Sequence, residues 1–151
     1  MSNGLSNELC GKYDHKLDPK NRVAIPSEWR CGDECPVVLL ESSKEGYPMV
    51  KVTSPEQFRA WVEEIRASDR PMGAKNRYVG RMYAECLHGV INAQGKLLVP
   101  KKMCVRLELD ADIKLVARGN FFELWKPESF TLADQIELAA MEEMNEVFDI
   151  F

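Results

Sequence analysis

Histidine is scarce in this chain: His15 and His88 are the only two among 151 residues, far apart, and neither stands beside a nucleophile motif. A phosphate loop and a dinucleotide fingerprint are also missing, so no enzymatic activity and no cofactor are expected. Long apolar runs are absent too, since nothing approaches the roughly 20 residues that a membrane span requires. The opening MSNGLSNELC has neither the basic nor the apolar block of a secretory signal. A soluble, cytoplasmic protein with no membrane partner and no small-molecule substrate is the expectation. The five cysteines are scattered and odd in number, which excludes a disulfide framework in favour of reduced thiols. Cys31 and Cys35 form the one close pair, and a tetrahedral zinc site needs about four ligands, so no metal is expected.

The chain also lacks a basic excess. Its net charge of −4 argues against a phosphate-rich partner, because such binding is driven by clustered Lys and Arg. The average hides an asymmetry, however. Residues 127–151 hold seven acids and no base, which leaves residues 1–126 with 20 bases against 17 of the 24 acids, a net of +3. The acidity belongs to the C-terminal segment.

What is present is an internal repeat. LDPKNRVAIP at 17–26 falls on INAQGKLLVP at 91–100 with an offset of 74. Asp18 meets Asn92, Arg22 meets Lys96, Val23 meets Leu97, Ile25 meets Val99 and Pro26 meets Pro100. Each copy leads to a short apolar run, VVLL at 37–40 and IKLV at 113–116. Each then reaches a Pro-initiated helix start, at Ser54-Pro55 and Lys126-Pro127. Two β-rich halves, each closed by a helix, account for the pattern.

Local structure follows from periodicity. Gly11, Tyr13, His15 and Leu17 alternate with Lys12, Asp14, Lys16 and Asp18, the period-2 signature of a strand with one buried face. Asp18-Pro19-Lys20-Asn21 supplies turn chemistry, with Asn tolerant of the left-handed region, and Gln94-Gly95 serves the corresponding turn. Pro26 and Pro100 stop the strands that follow, since proline cannot donate to a ladder. After Ser54, a natural N-cap, Phe58, Trp61, Val62 and Ile65 share one helical face. A C-terminal helix is predicted to carry a stripe through Ile136, Ala140, Met144, Val147 and Phe151, packed on its own barrel or on a neighbouring subunit. The division expected is an N-terminal extension at 1–10, a first repeat with its helix at 11–69, a basic linker at 70–82, a second repeat at 83–130 and an acidic amphipathic helix at 131–151.

These residues resemble a known family. Gly11, Tyr13, His15, Leu17, Asp18, Lys20, Arg22, Ile25 and Pro26 are similar to the Gly, Tyr, His, apolar-Asp, Lys, Arg and apolar-Pro pattern of the MraZ family of bacterial transcriptional regulators. Gly119-Asn120-Phe121-Phe122-Glu123-Leu124-Trp125 resembles that family's Gly-Asn-x-Phe-Glu-Leu-Trp strand. The likeness runs from about Gly11 to Phe130. It implies an α+β fold, mainly β with helices, in which two tandem pseudo-repeats build one swapped-hairpin β-barrel of the AbrB and SpoVT type. It further implies ring-shaped homo-oligomers, associated with the nucleoid, that bind repeated double-stranded DNA elements upstream of the division and cell-wall gene cluster. The family's Asp-x-x-x-Arg hallmark survives in the first copy as Asp18 and Arg22, whereas the second reads Asn92 and Lys96.

The DNA-binding residues expected on that resemblance are Lys16, Asp18, Lys20, Arg22, Asn92 and Lys96, with Lys12, Lys101 and Lys102 as further phosphate contacts. A carboxylate four positions before an arginine across a tight turn can orient the guanidinium, whose fork pairs two-point with guanine or phosphate, while Lys delivers a less directional charge. Pattern alone favours a plainer reading in which Asp18 caps the turn and Arg22 is its ion-pair partner on a solvated strand. His15, Phe122 and Trp125 read as packed side chains. Two rivals to the regulator are an oligomeric scaffold that keeps the fold with reduced DNA binding, and an antitoxin-like regulator. The helical pattern after Phe130 and the two-copy architecture speak against the second.

Overall fold

A computed structural model describes Leu5 and residues 8–151. Of the extension expected over 1–10, positions 1–4, 6 and 7 lie outside the described residues. Strands β1 (Lys12–Lys16) and β2 (Arg22–Ala24) flank the Asp18 turn, and a short 3-10 turn at Ser27–Trp29 follows Pro26. Strands β3 (Cys35–Lys44) and β4 (Tyr47–Thr53) form a hairpin closed by Glu45 and Gly46, both at positive φ (54° and 82°), as a two-residue turn between right-twisted strands requires. Helices α1 (Pro55–Ala67) and α2 (Met72–Glu85) lead to β5 (Cys86–Ile91) and β6 (Lys96–Leu98), which flank the second turn. Helix α3 (Lys101–Leu107), strands β7 (Asp112–Ala117) and β8 (Phe121–Trp125), and helices α4 (Pro127–Ala140) and α5 (Glu142–Phe148) complete the chain.

The eight strands form one antiparallel sheet in the order β1-β7-β8-β4-β3-β5-β6-β2. Its two ends are consecutive in the chain, and the Asp18 N–H donates to the Arg22 carbonyl at 2.9 Å, so the sheet curls into a nearly closed barrel. The halves exchange strands. In register, β1 lies on β7 with Tyr13 opposite Leu115, β5 lies on β3 with His88 opposite Val38, and β2 lies on β6 with Val23 opposite Leu97. This is the swapped-hairpin α+β barrel that the family resemblance implies.

The barrel interior takes one buried side chain from every second strand position: Val23, Ile25, Val37, Leu39, Val50, Val52, Leu97, Val99, Ile113 and Leu115. Trp29 and Phe122 meet there with centroids 5.0 Å apart, and the Trp29 indole N–H donates to the Cys10 carbonyl at 3.1 Å. Each such aliphatic side chain contributes about 1.5–3 kcal/mol by leaving water. Phe122 and Trp125 are fully buried, as the sequence suggests.

Helices cover two outer patches. Ser54 caps α1 by accepting from the Gln57 N–H at 3.0 Å, and Phe58 and Val62 bury against Val38. Val79 and Met82 of α2 join that cluster, so most of the segment read as a basic linker, 70–82, is helix. The apolar pair was diluted in the sequence by the basic and exposed residues around it, which masked a helical period. Helix α3 was likewise not foreseen; Met103, Cys104 and Leu107 bury one face of its two turns, and Glu108 ends it in the left-handed region at φ 56°.

Of the two seats expected for the C-terminal stripe, its own barrel does not take it up. Phe130 and Ala133 do pack on the barrel, against Met49, Val116 and Trp125. Beyond them the helix breaks at Met141, and Ile136, Met144, Val147 and Phe151 remain exposed, Val147 at 72% and Phe151 at 85%. The apolar packing of α4 on the barrel ends at Ala133, and beyond it only Glu137 ties the helix to the sheet.

A buried ionic cluster ties α4 to the sheet. Glu123 of β8 is fully buried, and its Oε1 accepts from the Trp125 indole N–H at 2.9 Å and from Arg118 Nε at 3.0 Å. Lys44 Nζ lies 3.3 Å from its Oε2, and Arg118 and Lys44 both reach on to Glu137 of α4, at 3.4 and 3.3 Å. A carboxylate without these partners in that position would be costly, and so would the cations left behind. Glu123→Ala is therefore expected to destabilise the fold by about 3 kcal/mol and Trp125→Phe by about 1–2 kcal/mol. Urea unfolding measures both, and a wild-type midpoint for Glu123→Ala would show the cluster to be energetically idle.

Candidate nucleic-acid interface

The two turns adopt one geometry despite their different sequences. In the first, Asp18 Oδ1 accepts from the Lys20 and Arg22 backbone N–H groups, both at 2.9 Å. In the second, Asn92 Oδ1 accepts from the Gln94 and Lys96 N–H groups, both at 3.0 Å. A carboxylate or an amide oxygen serves equally, which is why Asn replaces Asp at no structural cost. The left-handed position is Asn21 in one turn (φ 61°) and Gly95 in the other (φ 79°). The turns also clasp each other: Ile25 N–H donates to the Gly95 carbonyl at 2.9 Å, and Val99 N–H to the Asn21 carbonyl at 2.8 Å.

This clasp sets β2 and β6 side by side with Val23 and Leu97 facing the core, while Arg22, Ala24, Lys96 and Leu98 face outward. Arg22 and Lys96, separated by 74 positions, thus share one outer ribbon. Asp18 Oδ2 accepts from Arg22 Nε at 2.9 Å, so the carboxylate uses one oxygen to shape the turn and the other to aim the guanidinium. Lys96 Nζ approaches the same oxygen at 3.9 Å, drawing the second copy's cation toward the first copy's acid. The sequence does not foresee that crossing, which depends on the strand exchange.

The remaining expected residues divide. The Lys20 side chain is exposed at the tip of the first turn. Lys16 is exposed and ion-paired with Asp112 at 2.7 Å, a surface pair of small worth that a competing anion can open. Lys101 is exposed, and Lys102 stands 3.9 Å from Glu41. Lys12 lies apart, at the far end of β1 over the Phe130 ring at 5.7 Å. Its parity matches that of Arg22, but strand length carries it away from the turn. One cation that periodicity could not single out, Arg30, sits beside the second turn with its guanidinium against Gly95.

His15 stacks on Tyr13 with centroids 6.3 Å apart, and Tyr13 meets the edge of Trp29 at 5.4 Å. Cys31 and Cys35 are thiols whose sulfurs stand 2.7 Å apart, and burial, aided by the Cys31 contact, pushes the Cys35 thiol up to about 12. No group of three or more His, Cys, Asp or Glu that could hold a metal ion occurs among the described residues.

The Arg22 backbone N–H, opposed in part by desolvation and assisted by the Arg22 side chain, holds the Asp18 carboxyl below its ordinary value of 3.8. The sign follows from linkage: a depressed folded pKa gives stabilisation that is complete above the unfolded value and lost as pH falls through the folded one. The hairpin should accordingly keep its shape through the mildly acidic range and loosen only below about pH 3.8. The carboxyl carbon shift of Asp18, followed by NMR against pH, should show a midpoint under 3.8, and a midpoint above it would contradict the aiming geometry.

No family model matches the chain. Individual proteins do. The chain is 27% identical to the transcriptional regulator MraZ of Ruegeria sp. (strain TM1040), over 97% of this chain and 93% of that protein. It is 29% identical to the transcriptional regulator MraZ of Pediococcus pentosaceus, over 78% and 80% of the two. The protein of the same name from Mycoplasmoides gallisepticum is 22% identical over 93% and 97%. Over most of its length, the chain is thus similar to proteins named transcriptional regulator MraZ, which supports the resemblance to that family.

Proposed function

We propose that this transcriptional regulator acts by sequence-specific binding of double-stranded DNA, at repeated promoter elements of the division and cell-wall gene cluster, as a homo-oligomeric ring in the nucleoid. The observation that carries this reading is the outer ribbon of β2 and β6, where Arg22, aimed by Asp18, and Lys96 stand together between two clasped turns. Strands and turns are rigid supports, and a guanidinium held by a carboxylate has lost its rotamer freedom before it meets a base edge. Lys20 and Lys16 add charge at the first turn, and Asn92 shapes the second. On this division the first repeat, 11–69, reads bases, and the second, 83–130, chiefly contacts phosphate.

Weak individual sites need company. A ribbon with a few cations binds DNA poorly at physiological salt, and several copies on one scaffold raise the effective concentration. Two faces are suited to join copies. The acidic α4–α5 segment exposes Ile136, Met144, Val147 and Phe148, while α2 exposes Met72 and Tyr78 among Arg70, Lys75, Arg77 and Arg81. Opposite charge around apolar centres on different parts of one molecule is the setting for a heterologous contact, which closes into a ring when the rotation permits. A scaffold role with reduced DNA binding is the second reading, favoured by the approach of Lys96 to Asp18, which spends part of its charge internally.

Two measurements test these proposals. Fluorescence anisotropy on the promoter region should show specific binding that Arg22→Ala weakens by about 1–3 kcal/mol with relaxed sequence preference. Lys96→Ala should weaken all sequences alike and reduce the salt slope by about one. Absence of specific binding by the wild type at low salt would leave the scaffold. For the ring, light scattering should give a multiple of the chain mass that falls on Val147→Asp with Ile136→Asp, and an unchanged mass would move the interface elsewhere.

A further inference from the structure

The two turn tips differ in charge as written in the sequence. The first carries Lys20 next to its left-handed residue; the second carries Gln94 in the same place, next to Gly95. The second tip thus has no cation of its own. The fold brings one to it from the other half, because the chain after Pro26 makes its 3-10 turn beneath the second hairpin and ends at Arg30, whose backbone N–H donates to the Ser27 carbonyl at 3.2 Å.

The fit between Arg30 and the tip is close. A Cβ added at Gly95 would stand 2.6 Å from the Arg30 Cζ and 3.2 Å from its Nε, so the guanidinium occupies the space a side chain would fill. Glycine at 95 therefore answers two demands, a positive φ of 79° and room for this group. The Arg30 Nε is buried and makes no hydrogen bond among the described residues. No acid among the described residues forms an ion pair with this guanidinium, unlike Arg22 with Asp18 and Lys16 with Asp112. A guanidinium seated at a turn tip, half-buried and with no ion-paired acid among the described residues, is suited to an anion that reaches its terminal N–H groups from outside.

We propose that Arg30 is the second hairpin's phosphate-contacting cation, supplied by the first repeat across the barrel in place of the lysine that Gln94 lacks. The inference rests on the DNA-binding reading above and assigns a further residue to that surface. Because its Nε is enclosed, Arg30 presents only its terminal N–H groups, which suits a phosphate oxygen rather than two-point recognition of a guanine edge that would need the whole fork free. Its contribution is therefore to affinity and not to sequence preference. Strand exchange gives each hairpin tip one cation: Lys20 from its own turn, Arg30 from the opposite half.

The test compares wild type, Arg30→Gln and Arg30→Lys by fluorescence anisotropy on a duplex spanning the promoter region and on a scrambled duplex, each across a salt series. Arg30→Gln should weaken binding to both duplexes by the same factor, several-fold near physiological salt, and lower the slope of log K against log salt by about one per engaged subunit. Arg30→Lys should restore the slope, since a point charge suffices for phosphate. If Arg30→Gln binds with wild-type affinity and slope, the proposal is wrong. If both variants lose affinity at an unchanged slope, Arg30 merely braces the Gly95 turn and the proposal is again overturned. If the wild type itself shows no salt-dependent binding, the DNA-binding reading fails and Arg30 falls with it, an outcome separate from the other two.

Discussion

Two hydrogen bonds between turns, Ile25 to Gly95 and Val99 to Asn21, hold the rest of the molecule in place. Neither half can close a barrel alone: β1 finds its partner in β7, β5 in β3, and β2 in β6. Every buried apolar position on those strands depends on that exchange for its cover, because a slip of one residue would turn Val23 and Leu97 outward and Arg22 and Lys96 into the core. The clasp fixes register at the two places where the chain reverses, so it specifies the core and the outer ribbon with one constraint. That the same bonds form around Asn21 and Gly95 alike shows that backbone conformation, not side-chain identity, is what the turns must preserve.

The ionic cluster at Glu123 plays a comparable part on the far side of the barrel. An isolated buried carboxylate is among the costliest groups a core can hold, yet here an indole N–H, a guanidinium and an ammonium converge on it. Its partners continue to Glu137, so the network fastens α4 to the sheet while leaving the helix beyond Met141 unsupported. Four of the seven acids at 127–151, Glu142, Glu143, Glu146 and Asp149, consequently lie in the part the barrel does not claim. In a chain of net charge −4, the fold still sets the cations Arg22 and Lys96 side by side on the β2–β6 ribbon.

Much of this was legible in the residues. Period-2 alternation, prolines at strand ends and the offset of 74 positions were enough to give two β-rich halves, because each reflects a local backbone rule, while the barrel came from the family resemblance. The pairing of Asp18 with Arg22 was legible for the same reason: four residues across a tight turn are neighbours by local geometry. What was hidden depended on distant parts of the chain. Helix α2 is recognisable only once Val38 and Phe58 are known to receive Val79 and Met82. The approach of Lys96 to Asp18 and the seat of Arg30 on Gly95 both cross the repeat boundary, and a period read within one repeat contains no information about the other.

Fusing two halves in one chain changes what selection can do with them. A symmetric pair of identical subunits must carry the same residue at both turns, so any change is made twice and both sites bear it. In a single chain Asp18 and Asn92, Lys20 and Gln94, Arg22 and Lys96 diverge independently, provided the backbone conformations and the clasp are kept. On the DNA-binding reading, the first turn keeps an aimed guanidinium and the second keeps only charge, and losses on one side can be met from the other because strand exchange places the halves within a side chain's reach. A surface built this way has a direction along the ribbon that no twofold dimer of one repeat could have. On the proposed DNA-binding ring, such a polarity matches direct repeats of a DNA element better than inverted ones, since each subunit of a head-to-tail assembly would present the same ribbon in the same sense.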